Sequence, residues 1–132
     1  MKCPALIAFA LWTSAAQAAP EDVRYYGPIE AATRLLVRGT TDIALFDPVL
    51  KLFAATQPDL RIDYEQWGSN DLYDLAVAGC SGKAEAADLL ISSSVDQQVK
   101  LVNDGCAQSH RSAATAALPA TSNWRDEVFG IT

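Results

Sequence analysis

The sequence is poor in the residues that most often carry metal or acid–base chemistry. Its 132 residues include one histidine and three cysteines, so a zinc site would need almost every soft ligand in the chain. Basic residues are also few, since ten Lys and Arg stand against 16 Asp and Glu, a formal net charge of −6. This balance argues against nucleic-acid binding and against docking on an anionic membrane surface, because both need a basic surface.

Long apolar runs and nucleotide-binding motifs are missing too. No run approaches the ~20 residues that would span a bilayer, and no glycine-rich phosphate loop or dinucleotide fingerprint occurs. The single His110 lies among polar neighbours. Two carboxylate pairs, Asp71 with Asp74 and Asp126 with Glu127, fit helix-start and surface positions without a chemical role. With no nucleophile beside a base, we do not expect an enzyme.

The N-terminus has the three-part pattern of a secretory signal peptide. Lys2 supplies the positive charge, residues 5–12 are a short apolar stretch, and Ala16-Gln17-Ala18 offers small residues at the two positions that signal peptidase reads. We therefore expect cleavage after Ala18, with residues 1–18 as the signal peptide and residues 19–132 as the mature domain. The alternative is a short buried helix, which would have to begin at residue 1 without a cap.

Export to an oxidising compartment affects the interpretation of the cysteines. Cys3 would be removed with the signal peptide, and Cys80 and Cys106 would remain as an even pair. A disulfide between them would close a loop of about 26 residues. We favour this bridge over the alternative of two buried free thiols.

The mature chain alternates strand-like and helix-like segments. Residues 34–38 and 88–91 are short apolar runs typical of buried strands. Residues 61–67 alternate in polarity, which favours a strand with one wet face at a sheet edge. Helices are expected between and after these strands, and three strand–helix units in a row predict an α/β domain, a parallel sheet with helices on both faces.

The helix boundaries rest on local signals. The first helix carries apolar residues at 43, 46, 50 and 53. Either Asp47 caps it and Pro48 opens it, or a turn from Thr41 runs through the proline. Gly79 and Gly105 are predicted to end the second and third helices, and the spacing of Ser94 and Gln97 predicts a capping box.

The same topology predicts a ligand site. In an open parallel sheet, ligands bind beyond the carboxyl ends of the strands, where helix N-termini offer unpaired amides and a partial positive charge. The simpler interpretation is that Thr41, Ser69 and Ser94 only cap helices, and Ser92 and Ser93 are then the freer candidates. The loops at that edge supply six predicted ligand-binding residues: Thr40, Thr41, Ser69, Asn70, Ser92 and Ser93.

Several stretches of the mature chain match one family when they are taken together. They are the Thr40-Thr41-Asp42 turn with Asp47-Pro48, the DLLISSS run of residues 88–94, the VKLVNDG run of residues 99–105, and the NWRDEVFGIT run of residues 123–132. Residues 35–105 resemble the first lobe of bacterial periplasmic solute-binding proteins of ABC uptake systems, and residues 123–132 resemble the entry to that family's interdomain crossover. The resemblance is strongest to the branch of iron(III)-type binding components and the phosphoglycerate-transport regulatory protein.

This resemblance implies a type 2 periplasmic-binding-protein-like fold that stops before the second lobe, so we expect the chain to be a fragment. It implies a monomer that captures a small solute between two lobes and delivers it to ABC permease membrane subunits, without a cofactor or a resident metal. The alternative is a solute sensor that signals to a membrane histidine kinase. The hydroxyl-rich helix starts favour an anionic solute, although the net acidic charge would suit a cation. Tyr25-Tyr26 imitates the tyrosine pair of iron-binding relatives, but it precedes the first predicted strand and is expected to pack.

Overall fold

The computed structural model describes residues 18–130, which form one sheet with helices on both of its faces and a small C-terminal hairpin. The predicted signal peptide lies outside the described residues except for Ala18. The elements in chain order are β1 (Asp22–Tyr26), β2 (Thr33–Gly39), α1 (Ile43–Ala55), β3 (Leu60–Gln66), α2 (Ser69–Cys80), β4 (Leu89–Ile91), α3 (Val95–Asn103), α4 (Ala113–Ala116), a 3-10 turn (Ala120–Ser122), β5 (Asn123–Trp124) and β6 (Val128–Phe129).

The sheet has the strand order β1-β3-β2-β4. β2 is parallel to both β3 and β4, with Val37 opposite Tyr64 on one side and Leu89 on the other. β1 runs antiparallel along the outer side of β3. The predicted α/β class is therefore confirmed, because the three expected strands form the expected parallel sheet.

β3 is an inner strand, so the prediction that it lies at the sheet edge is wrong. The structure covers its outer side with β1, which the sequence analysis did not predict, and Tyr25-Tyr26 belongs to this strand. Tyr26 is buried, and its hydroxyl donates to Asp47 Oδ1. Tyr25 is exposed, and the Arg61 guanidinium stacks 4.7 Å from its ring centroid. Both tyrosines thus have packing roles.

The first face of the sheet packs against α1. Side chains alternate along a strand, so Val37 of β2 and Tyr64 of β3 point to the same face, where they join Ile43 and Leu50 of α1 in one buried cluster. Phe53, which the helical spacing assigned to this face, is instead 46% exposed. Ala54 takes the inward position in its place.

The second face of the sheet combines buried apolar residues with charged ones, unlike the apolar first face. Leu36 points away from Val37 and is buried, and Leu72 of α2 and Leu101 and Val102 of α3 are buried as well. The connection from β2 to β3 through α1 and the connection from β3 to β4 through α2 run in opposite directions across the sheet. Because both connections are right-handed, α2 lies on the face opposite to α1. Charged residues of β2 and β3 alternate with the apolar ones here.

The charged side chains of the second face neutralise one another, which explains why the predicted wet face is partly buried. Asp63 is 4% exposed and accepts hydrogen bonds from Arg34 Nε at 2.5 Å and Arg61 Nε at 2.6 Å. Arg38 is 5% exposed, and its Nε donates to Glu65 Oε2 at 2.7 Å. A buried charge is tolerated where it is paired and hydrogen-bonded.

The helix boundaries follow signals that differ from those predicted at several places. Asp42 caps α1, its carboxylate accepting from Ala44 N, and Pro48 lies inside the helix. α2 continues past Gly79 to Cys80, with Ser81 as its C-cap; Gly82 then adopts a φ of +71°, and Lys83 N donates to Ala78 O. Gly82 thus supplies the left-handed residue with which helices commonly end.

Gly105 follows the end of α3, as predicted, but the expected capping box at its start does not form. Ser94 makes no side-chain cap, and the Gln97 side chain instead donates to Asn70 of α2.

The structure contains the expected disulfide between Cys80 and Cys106, whose Cα atoms are 5.3 Å apart. The bridge ties the end of α2 to the segment that follows α3. Of the strand-like run predicted over residues 128–132, Val128–Phe129 form β6, Gly130 is not part of the strand, and residues 131 and 132 lie outside the described residues.

Candidate functional site

The carboxyl ends of the three parallel strands lie at one edge of the sheet. β2 ends at Gly39, β3 at Gln66 and β4 at Ile91, and each is followed by a helix. α1 lies on the first face, whereas α2 and α3 follow the strands on either side of β2. This arrangement is the topological switch point at which open α/β sheets bind ligands.

Thr40 and Ser93 are brought together at this edge. Thr40 N donates to Ile91 O at 2.9 Å, and Ser93 N donates to Thr40 Oγ1 at 3.4 Å. The loops after β2 and β4 are therefore adjacent, as predicted from the parallel topology.

Gly39 permits this close approach of the loops. A Cβ at position 39 would lie 2.7 Å from the hydroxyl of Tyr64 and 3.2 Å from Ile91 O. Tyr64 in turn donates to Thr41 O at 2.7 Å and packs at 5.5 Å, centroid to centroid, from Phe46. Burial raises the pKa of Tyr64, and the hydrogen bonds with Thr41 oppose that rise. The tyrosine therefore stays a neutral donor that fixes the Thr41 backbone.

Asn70 joins the N-termini of α2 and α3. Its Oδ1 accepts from Gln97 Nε2 at 3.2 Å. Ser69 is the first residue of α2, and no hydrogen bond within residues 18–130 joins its side chain to the other five predicted residues. The structure thus unites the predicted residues as neighbouring loops and not as one hydrogen-bonded cluster.

The three helix N-termini are not equivalent. The amides of α1 are all used by the chain itself: Ile43 N donates to Gln66 Oε1, Ala44 N to the Asp42 carboxylate, and Leu45 N and Phe46 N to Asp42 O. The predicted three-helix anion cradle is therefore reduced to α2 and α3, whose preceding residues Gly68 and Ser94 make no side-chain cap.

The serines after β4 differ in their hydrogen bonds. Ser92 Oγ accepts from Ser94 N at 3.1 Å, so Ser92 stabilises the turn into α3. Ser93 is exposed, and its hydroxyl has no hydrogen-bond partner within the described part of the chain. The hydroxyls of Ser93 and Ser94 thus have no hydrogen-bond partner among the described residues, whereas the Ser92 hydroxyl keeps only its donor and one lone pair free.

Gln66 and Tyr64 position this edge, and neither residue was predicted from the sequence to be important to it. Gln66 closes the α1 N-terminus through Oε1 and donates from Nε2 to Glu21 Oε2 at 3.0 Å. The available signal was an uncharged amide at the end of an alternating strand. The role of this amide can be recognised only once β1 is known, because Glu21, the residue directly before β1, accepts the hydrogen bond from Gln66.

Two cavities flank the sheet edge, and neither is lined by any of the six predicted ligand-binding residues. The first, of about 460 Å³, lies beside the α1 N-terminus and includes Asp42, Asp47 and Lys51. Lys51 Nζ lies 2.7 Å from Asp47 Oδ2 and holds the pKa of that carboxyl below its ordinary value. The second, of about 380 Å³, is lined by residues that include Arg38 and Glu65.

The described residues show no arrangement for metal binding or acid–base catalysis. No group of three or more His, Cys, Asp and Glu side chains in residues 18–130 could hold a metal ion. His110 is exposed, and its backbone amide donates to Asp126 O. Asp126 is hydrogen-bonded to Asn123 and Arg111, so its role is structural. No helix between residues 18 and 130 is long and apolar enough to cross a bilayer.

Comparison with solved structures finds a substrate-binding protein among the relatives of this chain. The chain is similar to a solved structure described as the substrate-binding protein of the ABC transporter from Agrobacterium tumefaciens, with 32% sequence identity and a TM-score of 0.74. The match covers 83% of this chain and 33% of that protein, so the chain spans about a third of the relative's length. No protein-family model and no curated protein sequence matches the chain. The fold is therefore that of part of an ABC substrate-binding protein, while the iron(III) or phosphoglycerate branch stays a prediction.

Proposed function

We propose that the chain is part of the periplasmic substrate-binding component of an ABC uptake system. The observation that carries this proposal is the 32% identical structural relative, a substrate-binding protein, whose fold the chain shares over 83% of its length. The relative is described as a substrate-binding protein, and the sequence of this chain shows no nucleophile beside a base. The partners would be a small solute and the membrane subunits of a permease.

The solute would bind at the carboxyl edge of the sheet. The N-termini of α2 and α3 offer amides there, and the Ser93 and Ser94 hydroxyls and the Ser69 side chain lie beside them. Helix N-termini attract anions, so we propose a small anionic solute whose charged group contacts these two helices. Thr40, Thr41 and Ser92 would act by shaping the loops, because their backbone or side-chain oxygens already accept hydrogen bonds from the chain.

A second lobe would be needed for tight binding. The edge of one sheet leaves much of a ligand in water, whereas efficient small-molecule sites bury ~70–90% of the ligand surface. Hinge closure of two lobes supplies that burial. We therefore expect the 132-residue chain to bind its solute weakly, and micromolar binding by this chain would contradict the two-lobe mechanism.

The proposal is tested by ligand screening of the exported protein. Thermal-shift screening with phosphate, sulfate and small carboxylates, followed by calorimetry, identifies the solute class. Changing Ser69 and Ser93 together to Ala should weaken binding by about tenfold or more, since each lost hydrogen bond to an anion contributes ~1 kcal/mol or more. Ser109→Ala, an exposed hydroxyl beyond α3, is the matched control.

The partner distinguishes transport from sensing. Stimulation of the ATPase of a reconstituted permease by the loaded protein would support uptake. Stimulation of a membrane histidine kinase instead would support the alternative sensor function.

For the ligand experiment, an unchanged solute affinity in the variant with Ser69 and Ser93 changed to Ala would contradict the proposed site.

A further inference from the structure

The disulfide lies at the far end of the two helices whose starts form the proposed solute site. Cys80 is the last residue of α2, and Cys106 follows the end of α3 by three residues. At the other end of the same helices, Asn70 Oδ1 accepts a hydrogen bond from Gln97 Nε2 at 3.2 Å. The two helices therefore run parallel, with a hydrogen bond between their starts and a covalent bond between their ends.

The start of α3 is held by few buried side chains. The buried residues of this nine-residue helix are Leu101 and Val102, which lie near its end, whereas Val95 at its start is 66% exposed. Among the described strands, β4, which leads into α3, is three residues long and pairs with β2 alone. Residues 106–112, which follow α3, contain no helix or strand. Segments with few buried contacts open most easily in a folded protein.

The length of α3 makes its start sensitive to how its end is fixed. A helix of nine residues is about 14 Å long, so a rotation of about 10° about its end moves its start by about 2 Å. Such a movement breaks the 3.2 Å hydrogen bond between Asn70 and Gln97, because hydrogen bonds are lost beyond about 3.5 Å. The disulfide opposes this rotation, since it fixes the end of α3 to the end of α2.

The bridge can be opened and closed by thiol–disulfide exchange. Cys80 is exposed and Cys106 is half-buried, so a thiolate reaches the Cys80 sulfur first and releases Cys106. A dithiol completes the reaction: its two electrons break the bond between the two cysteine sulfurs, each of which takes up one proton. The two sulfurs of the dithiol form a disulfide in its place.

We propose that the disulfide between Cys80 and Cys106 is a redox-sensitive clamp that aligns the starts of α2 and α3 and thereby sets the affinity for the solute. The inference rests on the proposed function, because the proposed site uses amides of both helices at once. Reduction leaves the residues at that site unchanged but frees the start of α3. An anion in contact with α2 then loses the second helix N-terminus, so the reduced chain binds it more weakly.

Amide hydrogen exchange, measured by NMR on the 132-residue chain, tests the clamp without a solute. In the variant with Cys80 and Cys106 both changed to Ser, the α3 amides should exchange about tenfold faster or more than in the oxidised native chain. Leu50→Ala is the matched control, because it creates a cavity in the core on the first face and lowers stability away from α2 and α3. It should leave the exchange of the α3 amides nearly unchanged.

Two exchange results would overturn the proposal. One is an α3 helix whose amides exchange equally fast in the native chain and in the variant without the bridge. The other is equal acceleration of the α3 amides in that variant and in Leu50→Ala, which would show that the bridge acts only on the stability of the whole domain.

A titration with inorganic phosphate, followed by the NMR shifts of the amides at the starts of α2 and α3, tests the effect on binding. Reduction of the native chain with dithiothreitol should raise the dissociation constant about threefold or more, and reoxidation should restore it. The variant without the two cysteines should match the reduced chain and should not respond to dithiothreitol. Equal dissociation constants in the oxidised and reduced chains would contradict the clamp, whereas the absence of phosphate-dependent shifts in both forms would contradict the proposed anionic site.

Discussion

The buried guanidinium of Arg38 donates from Nε to Glu65 Oε2 at 2.7 Å, and the two residues are direct neighbours on the parallel strands β2 and β3. Arg38 also donates from Nη1 to Glu85 O, and Trp67 Nε1 donates to Glu65 Oε2 at 3.0 Å. This pair therefore connects the inner strands to the β4 side and to the end of β3. It satisfies buried charge on the face that the sequence predicted to be wet.

Arg38→Met should lower the free energy of unfolding by about 3 kcal/mol, because it leaves the Glu65 carboxylate without its buried partner. Urea denaturation followed by circular dichroism measures this loss. Arg34→Met is the comparison on the same strand, and it should cost less, since Arg34 is more exposed and Arg61 still neutralises Asp63. Equal losses in the two variants would show that the Arg38–Glu65 pair has no special role.

Removal of the disulfide should destabilise the domain by about 3 kcal/mol, as expected for a bridge that closes a loop of 26 residues. The variant to compare has both Cys80 and Cys106 changed to Ser. Intact mass after alkylation, with and without reductant, should differ by two labels in the native protein. Equal labelling in both conditions would contradict the bridge.

Gly39→Ala should destabilise the protein by about 1–3 kcal/mol, because the added Cβ would meet the buried hydroxyl of Tyr64 at 2.7 Å. The cost should be smaller in a Tyr64→Phe background, which removes the clashing oxygen. A double-mutant cycle on thermal unfolding measures this coupling. Additive losses would mean that the hydroxyl does not limit residue 39.

The C-terminal hairpin should depend on pH through Asp126. Hydrogen bonds from Asn123 and then Arg111 hold the pKa of Asp126 below its ordinary value. A carboxyl whose pKa is lowered in the folded state contributes stability above its unfolded pKa and loses it as the pH falls through the folded pKa. Asp126→Asn should therefore lower the melting temperature at pH 7, and the difference should shrink below pH ~4.

The control for this experiment is Asp59→Asn, an exposed carboxylate that forms no ion pair among the described residues. It should leave the pH profile of the melting temperature unchanged. A difference between Asp126→Asn and the native protein that stays constant from pH 7 to pH 3 would contradict the assigned role of the carboxylate.

Local sequence patterns predicted the main elements because their signals lie within a few residues. The apolar run at β2, the helical spacing of Ile43 and Leu50, and the apolar run at β4 each depend on side chains close together in the chain. The convergence of the Thr40 and Ser93 loops also followed, since parallel strands end at a common edge. These predictions needed only periodicity and topology.

The missed features depend on contacts between distant residues. β3 has the alternation of an edge strand, yet β1 pairs with its outer side and Arg34 and Arg61 neutralise its Asp63. The Gln66 amide, and not another helix-start residue, closes the α1 N-terminus. No local pattern reports these pairings, because the partners are separated by at least twenty residues in most cases.

The sequence by itself determined the α/β class, the order of the three central strand–helix units, and the loops that meet at the carboxyl edge. It did so because hydrophobic periodicity and right-handed connections leave few alternatives. The tertiary structure decided which of those loops keep unsatisfied groups for a ligand. Asp42 and Gln66 occupy the amides of α1, whereas the starts of α2 and α3 lack side-chain caps. Hydrogen-bond satisfaction depends on partners brought together by folding, so local sequence could not decide it.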